Sequence, residues 1–324
     1  MTDTASQRFR DRTIVFANGS QGRAIEVPSA NPRNYHQAVN ALAAAPTVVL
    51  DGKLFLPPGA TGRVPVVMVV PGSLAVAPSH LAHAETLTGI GIAAFVLDPF
   101  GARGVTSTVA NQTQFSFAAS ALDVLMAMKV LAGLPEIDPT RIGAQGHSRG
   151  GAAVLGAAAR RFADPVMGSG PRLRAVYAAY PWCGHQFRDP SIGDTVVRCI
   201  IGDRDQWCLP QQVQGHVQAM RLAGGEATMR LVDGAHHSFD RGPPVWRIEE
   251  ASVSPGAPTV YVADDGAFVH PFSGTADPAL VDRDLMILAI KAGYGVKGAG
   301  IGGTPELATL FREDMVAFWR RMLA

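Results

Sequence analysis

The sequence predicts a doubly wound α/β fold built on a large, mostly parallel sheet. Three observations carry this. Continuous apolar runs of strand length, such as Val64–Val70, Ile92–Leu97 and Val196–Ile201, alternate with helix-length segments. The right-handed crossover rule then places helices on both faces of one sheet. Finally, the run Arg141–Gln145 passes through Gly146-His147-Ser148-Arg149-Gly150 into the small-residue stretch Gly151–Ala159. That is a strand, a sharp turn and a helix, the context in which a G-x-S-x-G pattern has chemical meaning.

Each element follows in order. Thr13–Ala17 and Gly22–Val27 read as short strands flanking an Asn18-Gly19 turn. Val48–Leu56 alternates apolar and polar around Asp51-Gly52, which suggests a hairpin or an edge strand, and Pro57-Pro58-Gly59 ends it. Val64–Val70 is a buried strand, followed by a Pro-Gly turn and a helix near Ser79–Thr88. Ile92–Leu97 is the next strand, Ser116–Ala132 an amphipathic helix, Arg141–Gln145 a strand and Gly150–Arg160 its helix. Leu173–Tyr180 and Val196–Ile201 are further buried strands, Gln211–Ala223 a helix and Thr228–Val232 a strand. After Asp240 the rhythm breaks into Gly- and Pro-rich sequence. It holds a hairpin candidate at Thr259–Val269 and a more helical Pro278–Ala292. A closing helix, Pro305–Met322, carries Leu307, Leu310, Phe311, Met315, Phe318 and Trp319 on one stripe. The chain therefore reads as a single domain. Residues 1–60 form an N-terminal extension, 61–240 the core, 241–303 an insertion between the last strand and the last helix, and 304–324 the closing helix.

Composition bounds the function classes. With 324 residues, 47% of them hydrophobic, the chain can build one large core. Its net charge of +1 shows no long run of either sign, which argues against nucleic acid or an anionic membrane surface as partner. No apolar run approaches bilayer length. The polar start, Met1–Arg8, lacks an export signal, so the cytoplasm is the expected location, although a removed signal would look the same. Cys183, Cys199 and Cys208 show neither zinc-ligand nor disulfide spacing. A small-molecule substrate is the expected partner. A homodimer is left open, though no exposed stripe demands one.

Ser148 stands at the turn, at the start of a helix whose dipole favours developing negative charge. A serine hydroxyl needs a base and a group to orient that base. In this architecture the order is serine, acid, histidine. Of the downstream histidines, only His236 and His237 lie in a short loop just past a predicted strand. His216 is expected on a solvent-facing helix surface and His270 in the insertion. For the acid, Gly202-Asp203-Arg204-Asp205 follows an apolar run. Asp205, deeper in the loop, is preferred. Asp203 is the alternative, with a turn cap or a pair with Arg204 as its other fate. Acyl transfer also requires donors to the carbonyl oxygen. The N–H of Arg149 is one, and the N–H of Ser73, in the turn after Val64–Val70, is assigned as the other.

These residues together resemble the α/β-hydrolase superfamily and, within it, the dienelactone hydrolase-like family. The resemblance covers roughly Pro65 to Asp240 plus the closing helix. It rests on Val69-Val70-Pro71-Gly72, Asp98-Pro99-Phe100 with Arg103-Gly104, Ile137–Gly143, the Ser148 elbow, Gly202–Asp205 and Ala235-His236-His237-Ser238-Phe239-Asp240. The similarity implies that His237 is the catalytic histidine and His236 a neighbour. Three departures qualify it. Founding members carry cysteine where this chain has Ser148. Pro71-Gly72 replaces the usual pair before the oxyanion residue, a form shared with cutinase-like hydrolases. The insertion is long.

The expectation is a carboxylic ester hydrolase acting through a Ser148–His237–Asp205 triad and an acyl-enzyme, with no cofactor or metal required. Its substrate is expected to be a small or medium apolar or aromatic ester or lactone. Leu74, Phe100, Trp182, His185 and Trp207 are the candidate substrate contacts, with Phe115 and Phe187 as further loop aromatics. Arg103 is expected to anchor its loop by pairing with an acid. No large cap separates Tyr180 from Val196, so the site is either open or covered by the insertion. The alternatives are a peptidase or acyltransferase on the same triad, or a binding protein that kept the fold.

Overall fold

The computed structural model describes residues 7–323. Residues 1–6, on which most of the reading of the N-terminus rests, lie outside the described residues. Along the chain, β1 (Arg23–Ala30) and α1 (Tyr35–Asn40) lead into β2 (Thr47–Phe55), β3 (Val64–Val70), α2 (Pro78–Gly89) and β4 (Ala93–Asp98). The central crossovers comprise α3 (Phe117–Ala132), β5 (Ile137–His147), α4 (Arg149–Ala158), α5 (Arg160–Met167) and β6 (Ala175–Ala179). Then come β7 (His185–Phe187), β8 (Val196–Gly202), α6 (Pro210–Leu222) and β9 (Ala227–Val232). The insertion contributes β10 (Trp246–Val253), β11 (Val260–Val262), β12 (Phe268–Val269), β13 (Ala276–Asp277), α7 (Asp282–Lys291) and β14 (Val296–Ile301), and α8 (Pro305–Leu323) closes the chain.

Eight strands form the main sheet in the order β1-β2-β4-β3-β5-β6-β8-β9. β1 and β2 run antiparallel at one edge, and the pairs from β4 onward are parallel. The doubly wound, mostly parallel α/β fold expected from the sequence is the one observed. Among the described residues, no helix is long and apolar enough to cross a membrane.

The helices are fixed by local chemistry and by what they cover. The Ser116 hydroxyl oxygen accepts the Ala119 N–H and starts α3, and Gly133 ends it. Most of α3 is buried, because β1, α4 and β5 all pack on it. The α8 stripe works as read: Phe311, Met315, Phe318 and Trp319 are buried. Trp319 packs against β5, where a Cβ added at Gly143 would stand 2.4 Å from its ring. Asp314 clamps the same helix to the sheet through Arg198, Arg230 and the Tyr177 hydroxyl.

Several expectations change. Asp51-Gly52 is not a turn. β2 runs straight through it as an interior strand, paired with β1 on one side and β4 on the other. The glycine is there because a Cβ would meet the Phe95 ring at 2.1 Å. Buried Asp51 is neutralised by Arg8 and Arg10. At the N-terminus the expected Gly22–Val27 strand is present as the start of β1, whereas Thr13–Ala17 forms no strand and only a single bridge joins Val15 to Gln21. Within the insertion the hairpin exists as β11 and β12. However, β10 and β14, which pair antiparallel, gave no clear signal in their Gly-rich context. β7 pairs parallel with β11, stitching the insertion to the core.

Candidate active site

The elbow after β5 is set by close backbone approach. Ser148 has φ 56° and ψ −113°, a conformation side chains rarely adopt. A Cβ at Gly146 would stand 2.0 Å from the Gly150 carbonyl oxygen, and one at Gly150 would stand 2.3 Å from that of Val70. Both glycines are therefore steric requirements of the turn. Ser148 N–H donates to the Ala179 carbonyl at 2.9 Å, and its own carbonyl begins α4 by accepting from Ala152. Among the described residues, the four non-glycine positions with positive φ are Ala75, Ser148, Tyr180 and Ser238, all in loops at this end of the sheet.

The loop after β8 carries Asp205, whose Oδ1 accepts the N–H groups of Trp207 (2.8 Å) and Cys208 (2.9 Å). Its Oδ2 lies 2.7 Å from His237 Nδ1. Nδ1 is thereby the donor, and the other ring nitrogen is left as a base. Asp203 is exposed, and among the described residues the carboxylate paired with His237 is that of Asp205. Trp207 stacks on the His237 ring at 5.4 Å. The end of β14 holds both loops: Gly300 accepts from Trp207 Nε1, and Gly302 N–H donates to the His237 carbonyl. Ser148 and His237 line one small cavity, without a direct hydrogen bond between them among the described residues. Such contacts are often loose before substrate is bound.

Beneath His237 lies a buried polar network that the sequence did not reveal. The Tyr180 ring meets His237 edge-on at 4.7 Å. Its hydroxyl donates to Asp240 Oδ1 at 2.7 Å and lies 2.8 Å from His147 Nδ1, while Asp240 Oδ2 is 2.9 Å from His83 Nε2. Gln145 continues the chain to Trp319 Nε1. Burial pushes the Asp240 carboxyl up, but the His83 and Tyr180 contacts outweigh it and hold the group below the usual carboxylate range. Burial drives His147 well down and His80 down to about 3, so both are neutral. Only Asp240 carried a sequence signal, as the end of the His-x-Phe-Asp segment.

Ser73 sits between β3 and α2 with its hydroxyl on Gln112 Oε1 at 2.9 Å. Its carbonyl accepts from Thr108. The Arg149 guanidinium holds the same loop, donating to the Gln112 and Phe115 carbonyls while stacked between the Phe115 and Phe117 rings. Among the described residues, the backbone N–H groups of Ser73 and Arg149 donate to nothing. The helix start leaves the latter without an intrahelical partner.

An open cavity runs from Ser148 outward. Trp182, His185 and Trp207 line it, together with Ser252–Ser254, Leu285, Met286 and Ala289 of the insertion, which thus forms its outer wall. Leu74 lines the smaller cavity instead. Phe100 does not reach substrate space. Asp98 Oδ1 accepts its N–H and turns the loop inward, and the ring packs edge-on against Phe115. Phe187 is buried in the core. Arg103 pairs with Asp123 at 2.7 Å, both buried, and so anchors its loop. His216 is buried rather than solvent-facing, and burial lowers it to about 4. Cys208 lies beside Asp205 and His237, but burial raises its thiol well above the usual value, so it stays protonated.

Three comparisons bear on this arrangement. The family model for acetyl xylan esterase matches residues 52–196, a span that includes Ser148 and ends before Asp205. An uncharacterized protein of Mycobacterium tuberculosis is 30% identical over 179 residues, covering 52% of this chain and 61% of that protein. The chain thus spans about three fifths of the length of the curated relatives it matches. Among solved structures, esterase Est22 aligns with a TM-score of 0.50 at 15% identity, covering 69% of this chain and 75% of that one. The structure named m3DLH gives 0.50 at 18% identity, covering 67% and 85%. At such identities the structural likeness speaks for the fold alone.

Proposed function

We propose that the chain is an α/β hydrolase of the esterase kind and that it cleaves carboxylic esters through Ser148, His237 and Asp205. Ser148 Oγ attacks the carbonyl carbon. His237 Nε2 takes the hydroxyl proton and returns it to the leaving alcohol, giving an acyl-enzyme. Water, deprotonated by the same nitrogen, then releases the acid. Asp205 fixes the tautomer and stabilises the imidazolium. The N–H groups of Ser73 and Arg149 receive the developing oxyanion, each contributing about 3 kcal/mol in comparable sites. The observation that carries this reading is the 2.7 Å contact of His237 Nδ1 with Asp205 Oδ2, in a cavity shared with a conformationally strained Ser148.

The cavity's aromatic and aliphatic lining favours a small or medium apolar or aromatic ester or lactone. Hydrolysis of a graded set of p-nitrophenyl esters tests the reading. Ser148→Ala should lose nearly all turnover while keeping the wild-type melting profile, and a fluorophosphonate should label Ser148 in the native protein only. Undiminished turnover in Ser148→Ala would overturn the assignment. Cleavage of peptides in preference to esters would point to the peptidase alternative.

A further inference from the structure

The large cavity is mostly apolar, but one part of its wall is not. His185 on β7 and Asp282 at the start of α7 both line it, and both side chains are more than nine-tenths buried. His185 Nδ1 lies 3.6 Å from Asp282 Oδ1, too far for a good hydrogen bond, and neither atom has another partner. Asp282 Oδ2 is used, accepting the Phe117 N–H at 3.0 Å. The imidazole is wedged between Trp182 and Phe268, each ring 4.6 Å away, and makes no hydrogen bond through either nitrogen among the described residues. A buried polar group left unpaired is costly and calls for an explanation.

Burial moves both groups toward neutrality. It raises Asp282 to about 6, with the Phe117 N–H and Arg149 opposing, and lowers His185 to about 3. At pH 7.5 the carboxylate is therefore ionised and the imidazole neutral. An ionised Oδ1 facing Nδ1 favours the tautomer with the proton on Nδ1. Nε2 is then a bare acceptor on a ring that lines the cavity.

We propose that His185 is a specificity-determining residue whose Nε2 accepts a hydrogen bond from a hydroxyl on the arm of the ester that fills this cavity, with Asp282 as the positioning residue that fixes its tautomer. The inference rests on the ester-hydrolase reading and deepens it. The preferred substrate is an ester with an aromatic or aliphatic arm bearing a hydroxyl. An acceptor-only site disfavours the methoxy analogue, which has no proton to donate, and a carboxylate, which is repelled by Asp282.

The test is a set of matched esters hydrolysed by the full-length protein at pH 7.5. On the acyl side, ethyl 3-phenylpropanoate is compared with its ring-hydroxy and ring-methoxy derivatives. On the alcohol side, 2-phenylethyl acetate is compared with the same two derivatives. One of the two series should show kcat/KM about tenfold higher for the hydroxy member than for the plain or methoxy member, the effect of one hydrogen bond. His185→Phe should bring that ratio to about one, whatever it does to the rate on the plain ester. His185→Gln, which retains an acceptor oxygen, should keep part of the preference. Asp282→Ala should lower the ratio as well, and an unchanged ratio there removes Asp282 from the proposal. Equal rates across both series in the wild-type protein overturn the inference without any variant, as does a preference that survives His185→Phe. Failure to hydrolyse any ester, with no fluorophosphonate labelling of Ser148, would instead defeat the ester-hydrolase reading itself.

Discussion

The two walls of the cavity are built on different principles. The wall at Ser148 is backbone geometry: a strand, a turn with no room at Gly146 or Gly150, and a helix start. The opposite wall belongs to the insertion and is made of side chains on α7 and on the loop after β10. One wall tolerates no change in shape, whereas the other can change its lining without moving the elbow. On the proposed function, the first wall sets the rate of the chemical step and the second sets which ester arrives.

That division predicts opposite kinetic signatures. The largest effect is expected at Gly146→Ala, whose methyl would meet the Gly150 carbonyl oxygen at 2.0 Å. The turn has to open, so soluble protein should either be lost or show no measurable ester turnover. Near-normal ester turnover in this variant would show that the elbow is not the rigid part. Next comes Asp205→Asn, which keeps the shape but loses the tautomer control exerted on His237 Nδ1. It should lower kcat by about four orders of magnitude with little change in KM. Stopped-flow acylation by p-nitrophenyl acetate measures it directly, and a loss below tenfold would move the orienting role elsewhere. Smaller again is Leu285→Ala on the insertion wall. It should raise KM for an aromatic ester by about tenfold and leave kcat within a factor of two or three. A fall in kcat at constant KM would erase the distinction between the two walls.

The same division explains what could be seen in the sequence. The elbow was legible because its chemistry is local, with the glycines, Ser148 and the flanking strand and helix adjacent in the chain. The Asp205 and His237 loops were legible because parallel strands bring their carboxyl ends to one side of the sheet. Gly52 misled, since an Asp-Gly pair reads as a turn unless one knows that Phe95 lies across it. Phe100 misled for a related reason. Its position at a strand end suggested the pocket, and only the Asp98 turn shows the ring folding inward. The Tyr180–Asp240–His147–His83 network and the His185–Asp282 pair were illegible because their members meet only through the fold. β14, whose Gly300 and Gly302 brace the Asp205 and His237 loops, was hidden in a Gly-rich run that resembles a linker.

Buried histidines sharpen the contrast further and give the smallest effect. On the elbow side, His147 and His83 are satisfied by Tyr180 and Asp240. Behind the substrate wall, His216 on α6 is buried with Nδ1 unpartnered, and burial alone lowers it to about 4. Its unfolded value is about 6.5. Between those values the unfolded chain binds the proton and the native one does not. The stability linked to neutral His216 is thus present in full above about pH 6.5 and is lost as pH falls through that window, by up to about 3 kcal/mol near pH 4. Below pH 4 both states are protonated and no further loss follows. His216→Leu fills similar volume without a titrating group. Urea unfolding at pH 7.5 and pH 4.5 should show a smaller difference between the two conditions for the variant than for the wild type, with ester kcat at pH 7.5 unchanged. If the variant loses as much stability on acidification as the parent, the acid sensitivity resides in the elbow-side network, and the two sides would then have to be compared through His147 and His80 instead.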